Sequence, residues 1–255
     1  MPSPAVQWIS VADYVRAERS PISRLAHQWE LHSAILLSPA EERNMVREPA
    51  QAVPDAIAER IGPLRLLLVP YIACTKDGDF VSFAKPEGEA HTSVWMEAEG
   101  VTRVVLACRE LDAHDTGFEL LACVAELLRP HITAGEISQF QRLLEEELRQ
   151  GITGEIDEEA ARAKQALVSR GGRRRGQGFE AYRDVSVVET LAEYMHGLWH
   201  DVQIRVGPQH LPLPQLRLRL ELLSQLFPPN EGYSVFDEAI AAKEEPDAED
   251  EGSDK

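Results

Sequence analysis

From Leu64 to Cys108 the chain is punctuated as strands, and on both sides of that block it is punctuated as helices. Leu64-Arg65-Leu66-Leu67-Leu68-Val69 is a short apolar run of the kind a central strand carries, continuing irregularly past Pro70 toward Cys74. Lys76-Asp77-Gly78-Asp79 is a hairpin signal, with Phe80, Val81 and Phe83 on the return strand. Between His91 and Glu97, Thr92, Val94 and Met96 alternate against Ser93, Trp95 and Glu97. Thr102 to Cys108 supplies a fourth strand, reached through Gly100. Four sequential strands with short links predict an antiparallel meander.

The flanks obey helical rules. Residues 1–62 read as a helical N-terminal segment. Ser20-Pro21 is placed to cap and start a helix through Leu25, Trp29, Leu31 and Ile35, and Ser38-Pro39 repeats the device. A short helix from Asp55 to Ile61 ends at Gly62-Pro63. Beyond the strand block (63–110), Phe118 to Leu128 is apolar nearly all round and predicts a buried helix. Thr133-Ala134-Gly135-Glu136 is a capping box opening a helix through Ile137, Phe140, Leu144 and Leu148. Further helices are expected over Glu155 to Val168, Ser186 to Val202, and from Leu213-Pro214 through Leu226. The expected fold is α+β: a small antiparallel four-stranded sheet packed against a mainly helical bundle (111–236), one domain over 1–236.

Charge is distributed unevenly. The net charge is −17, and residues 237–255 hold nine acidic side chains against two lysines. Such a segment buries too little apolar surface to offset the entropy of ordering, so a disordered acidic tail is expected. The remaining body is also acidic, which disfavours a dedicated nucleic-acid binder. No apolar run is long enough to span a bilayer, and no secretory pattern follows Met1. Cys74, Cys108 and Cys123 lie in apolar segments without metal-ligand spacing, and read as reduced core thiols of a cytoplasmic protein.

Chemistry is suggested most directly by the helix beginning at Ser186. Glu189, Glu193, His196 and His200 share a stripe roughly 60° wide at about 100° per residue. Val187, Val188, Leu191, Tyr194, Met195, Leu198 and Val202 occupy the opposite side. That pattern predicts an amphipathic helix whose Glu/His stripe faces water or a partner, with Ser186 as N-cap and Glu189 closing a capping box. The alternative is a divalent metal site on Glu193, His196 and His200, joined by His114 or Asp112 from the segment Asp112-Ala113-His114-Asp115. For that segment the simpler expectation is that Asp115 or Thr116 caps the next helix.

Two other features stand out. Glu119, Cys123 and Glu126 recur on one side of an otherwise apolar helix, so they need a polar cleft or an arginine such as Arg103, Arg109 or one from another helix. Arg170, Arg173, Arg174 and Arg175 lie in a glycine-rich loop that is a solvated linker, a dock for the acidic tail, or a grip for an anionic ligand. The layout of an antiparallel sheet, the helix Phe118-Glu119-Leu120-Leu121-Ala122-Cys123 and the later Glu189-Thr190-Leu191-Ala192-Glu193 resembles that of small zincin metallopeptidases. The first helix lacks that family's His-Glu-x-x-His. The resemblance therefore implies an inactive relative or a scaffold reused for binding.

The leading expectation is a non-catalytic protein that binds another protein and needs no cofactor. The alternative is a metal-dependent hydrolase built on the Glu/His stripe. The two differ on whether that stripe faces water or a hollow.

Overall fold

The structure, a computed structural model, describes residues 8–17, 21–169, 171, 176–200, 202 and 207–236. A short strand β1 (Ile9–Ser10) leads into α1 (Val11–Arg16), followed by β2 (Ser23–Arg24) and β3 (Glu30–Ser33). Next come α2 (Pro39–Glu42), a π-helical turn over Arg43–Arg47, α3 (Glu48–Ala52) and α4 (Asp55–Ile61). The strand block holds β4 (Leu64–Val69), β5 (Tyr71–Thr75), β6 (Gly78–Ser82), β7 (Ala90–His91), β8 (Ser93–Ala98) and β9 (Val101–Ala107). Five helices follow: α5 (Ala113–Leu128), α6 (Ala134–Arg149), α7 (Glu158–Ser169), α8 (Gln177–Trp199) and α9 (Leu213–Leu226). The class is α+β, with a four-stranded antiparallel sheet and a mainly helical remainder.

The strands do not form one meander. Among the described residues there are two sheets, an antiparallel β1-β6-β5-β7 and a five-stranded β2-β3-β4-β9-β8. In the second, β4 pairs in parallel with both β3 and β9, while β2 and β8 run antiparallel along the edges. Pro70 stands between β4 and β5, where the missing N–H ends the β4 ladder and the chain leaves for the other sheet. A parallel partner needs a crossover of a dozen or more residues, and α2 to α4 supply it between β3 and β4.

The apolar run of β4 follows from this placement. Leu64, Leu66 and Leu68 face the helices, in one core with Val104 and Leu106 of β9. Leu67 and Val69 face the other way, into a second core with Val105, Ala107, Ile72, Val81 and the α1 residues Val11, Tyr14 and Val15. A strand buried on both faces has no polar side to alternate with.

Residues 1–62 are not a helical segment, since β1, β2 and β3 lie within it. The spacing of Leu25 and Trp29 mimics a helix. Leu31 instead sits opposite Leu66 in the parallel ladder and is fully buried. The gain from that pairing overrides the local pattern. Residues 237–255 lie outside the described residues, as do Arg170, Arg173, Arg174 and Arg175.

The helical layer contains a buried ionic network that no local pattern announced. Arg219 on α9 is fully buried and donates through Nε to Glu147 Oε1 at 2.9 Å and through Nη1 to Glu155 Oε2 at 2.9 Å. It also reaches Ser186 Oγ at 2.9 Å. Lys164 Nζ donates to Glu155 Oε1 at 3.0 Å, and the Tyr182 hydroxyl donates to the same oxygen. Two cations face two carboxylates, so the buried set is neutral overall. Burial pushes the Glu155 carboxyl up, but Arg219 and Lys164 outweigh that and hold it at about 2.

Candidate metal centre at the α5–α8 junction

Helix α8 begins nine residues before the expected cap. Ser186 is therefore inside the helix and fully buried, accepting from Arg219 at Oγ and from Thr190 Oγ1 at its carbonyl. Every residue from Leu191 to Leu198 is buried. The Glu/His stripe thus points inward: Glu193 is 8% exposed and His196 2%. The expectation of a water-facing stripe is overturned, because α5 covers that side of α8.

Helix α5 starts earlier than its apolar run suggests. Asp112 is the N-cap, its side chain accepting from Asp115 N at 2.8 Å, so neither Asp115 nor Thr116 caps the helix. His114 falls in the first turn of α5, and His196 in the last turn of α8. The two helix ends meet, and His114 Nε2 lies 3.1 Å from His196 Nε2. His200 is the C-cap of α8 with extended backbone (φ −132°, ψ 174°), so it leaves the helical stripe. Its ring centroid still stands 5.0 Å from that of His114 and 6.0 Å from that of His196. Three of the four anticipated ligand residues are imidazoles gathered here, and the fourth, Glu193, stands just behind.

Each ring of the close pair has a carboxylate at its other nitrogen. His114 Nδ1 is 3.5 Å from Asp115 Oδ1, and His196 Nδ1 is 3.9 Å from Glu193 Oε1. Carboxylates beside Nδ1 favour a proton there, as they do on metal-bound histidines. Without an ion, one Nε2–H can donate to the other Nε2 across 3.1 Å; with both protons on Nδ1, the two Nε2 lone pairs would face each other and could share a cation. Imidazoles about 2.0–2.1 Å from one zinc ion place their nitrogens roughly 2.9–3.4 Å apart, over bond angles from a right angle to tetrahedral. The observed spacing lies inside that range. His196 Nδ1 and Glu193 Oε1 are, moreover, both buried and both without a hydrogen bond. Such orphans cost about 1–3 kcal/mol each. Drawing His196 onto an ion and turning its Nδ1–H toward Glu193 would satisfy both.

Aromatic rings wall the pair. Trp199 stacks on His114, and Phe118 meets His196 edge-on at 5.3 Å. The indole fits because position 117 is glycine. A Cβ there would collide with Trp199 Cη2 and stand 2.7 Å from Asn44 O and 2.8 Å from Pro49 Cγ. Trp199 Nε1 donates to Glu48 Oε2 at 3.5 Å, tying the wall to α3. Phe118 and Trp199 were not singled out as site residues from sequence. The aromatic between His196 and His200 was the available signal.

The remaining candidates resolve differently. Glu119 accepts from Ser93 Oγ at 2.5 Å and Glu126 pairs with Arg129, so neither Arg103 nor Arg109 serves them. Burial pushes the Cys123 thiol up to about 12, leaving it an inert core group. Glu189 is raised to about 7 by burial and by the nearby Asp157, Glu159, Glu126 and Glu119.

No family model, curated protein or solved structure matches the chain. The sheet that leads into α5 is mixed, with β4 parallel to β3 and β9, so the antiparallel layout on which the likeness to zincins rested is not found.

Proposed function

We propose that this protein binds one divalent transition-metal ion of the zinc class between His114 Nε2 and His196 Nε2, with His200 as the third imidazole. Glu193 and Asp115 would orient the rings from behind. The observation that carries this reading is the pair of Nε2 atoms 3.1 Å apart, each ring backed by a carboxylate. Imidazole donors suit zinc, copper, iron and nickel.

The site favours catalysis over pure structure. His196 is buried, His114 is only half-covered and His200 is exposed, so the ion would keep one side toward solvent. Open positions of that kind belong to sites where the metal lowers the pKa of a bound water and delivers hydroxide. The reaction class is metal-assisted hydrolysis. The burial of Glu193 and His196 supports this reading over a stripe that offers its side chains to a protein partner.

Zinc titration of the full chain by calorimetry tests this. One binding step should vanish in His114→Ala and in His196→Gln, and zinc-dependent hydrolysis across an ester, phosphoester and peptide panel should vanish with it. Zinc binding unchanged in both variants overturns the site. Binding that is lost in the variants but accompanied by no hydrolysis in the parent overturns the catalytic reading alone.

A further inference from the structure

A separate cluster forms where β5, β6 and β7 lie side by side. The register sets Cys74 opposite Asp79, and His91 opposite Ile72. Side chains two apart on a strand share a face. Ile72 and Cys74 therefore share one face of the sheet with Val81 and Asp79 on β6 and with His91 on β7. Ile72 and Val81 are fully buried in the second core, whereas Cys74 and Asp79 are half-buried and His91 is exposed. The three polar residues mark the rim where that core ends.

At this rim Cys74 Sγ, a carboxylate oxygen of Asp79 and a ring nitrogen of His91 all lie within 4.8 Å of one another. His91 Nε2 is 3.4 Å from Asp79 Oδ1. Around one zinc ion, with bonds of about 2.0–2.3 Å, tetrahedral ligands sit roughly 3.4–3.7 Å apart. The imidazole–carboxylate spacing already meets that. The thiol closes the remainder by rotation of a half-buried side chain.

Three donors of different type on adjacent strands differ from an ordinary surface ion pair. The thiol lies within 4.8 Å of an Asp79 carboxylate oxygen, and Glu89, whose carbonyl accepts from Cys74 N at 2.9 Å, adds negative potential nearby. Burial, Asp79 and Glu89 all push the thiol up. The order of contacts also disfavours a cysteine nucleophile. The ring pairs with Asp79 at 3.4 Å, whereas a Cys–His pair needs the ring on the sulfur. A divalent ion would supply the missing charge.

We propose that Cys74, Asp79 and His91 form a second metal site, taking a zinc-class ion through one sulfur, one carboxylate oxygen and one imidazole nitrogen. Mixed sulfur, nitrogen and oxygen donors of this set select zinc and cobalt over calcium or magnesium. Binding replaces the thiol proton with the metal, and the proton leaves to solvent. The site is independent of the one between α5 and α8, and either stands without the other.

Cobalt(II) added to the reduced full chain reads it directly, because sulfur-to-cobalt charge transfer absorbs in the near ultraviolet and imidazole ligation does not produce that band. The band should saturate near one equivalent, be displaced by zinc and persist in His114→Ala. It should disappear in Cys74→Ser. His91→Ala and Asp79→Asn should each weaken the affinity about tenfold or more, and His91 is exposed enough for its removal to spare the fold. Cys108 and Cys123 are buried and supply no competing thiolate. The absence of any band, a band that survives Cys74→Ser, or affinities unchanged by both His91→Ala and Asp79→Asn would each overturn the proposal.

Discussion

The indole of Trp199 lies 5.1 Å from the imidazole of His114 with 19° between their planes, so one face of the histidine is sealed while its Nε2 edge stays turned to His196. The stack holds the ring at a fixed angle. Under the proposed metal site, affinity at this junction would depend on a tryptophan that donates no ligand atom.

Zinc should stabilise the fold through that junction. In a Cys74→Ser background, zinc at a hundredfold over its Kd adds about 2.7 kcal/mol, which is roughly 5–10 °C in Tm for a chain of this size. The same scan on Cys74→Ser/His114→Ala should show no zinc-dependent rise. Copper(II), a fluorescence quencher, should dim the Cys74→Ser protein far more than the same protein carrying Trp199→Phe.

Gly117→Ala should destabilise by about 1–3 kcal/mol, since its methyl group meets Trp199, Asn44 and Pro49 together and the backbone oxygen cannot swing away. Urea unfolding measures that cost. Zinc affinity should fall in the same variant, because the indole must move off His114.

Arg219→Met leaves Glu147 and Glu155 buried and opposed by Lys164 alone, and should cost about 3–5 kcal/mol. Adding Glu155→Gln to that variant should restore part of the loss. The network also fixes an acid limb. Glu155 is held at about 2 in the fold, against about 4.3 in an unfolded chain. Its contribution is complete above the unfolded value and is lost as pH falls from there through about 2. Denaturant midpoints taken from pH 6 down to pH 2 should show that slope flattened in Arg219→Met.

Glu189 sets an opposite slope. Raised to about 7 by burial and four neighbouring carboxyls, it favours the fold while protonated. That stability is present below the unfolded value near 4.3 and is lost as pH climbs through about 7. Glu189→Gln should remove this loss and make the protein more stable than the parent at pH 8. A parent and variant with parallel pH profiles between 5 and 8 would contradict the assignment.

Legibility in the sequence followed the range of the interactions. The hairpin turn at Lys76 to Asp79, the Thr133–Glu136 capping box and the stop of α4 at Gly62 are set by a few adjacent residues, and each is where its motif puts it. Strand β3 was not legible because its pairing with β4 lies more than thirty residues away, while the apolar spacing around Trp29 obeys a helical rule just as well. Ser186 carried a valid capping signature that the fold overrides by burying it against Arg219. The direction of the Glu/His stripe was undetermined for the same reason. Nothing within α8 records that α5 will lie on that side. Glu147, Glu155, Lys164 and Arg219 each pass for solvated charges, and only their convergence shows otherwise.

The Nε2–Nε2 contact joins residues 82 positions apart, one at the start of a helix and one at the end of another. The pair of rings exists only once α5 and α8 are packed together. If the proposed ion binds there, its uptake would follow the docking of the two helices, and a chain in which they had not met would carry none.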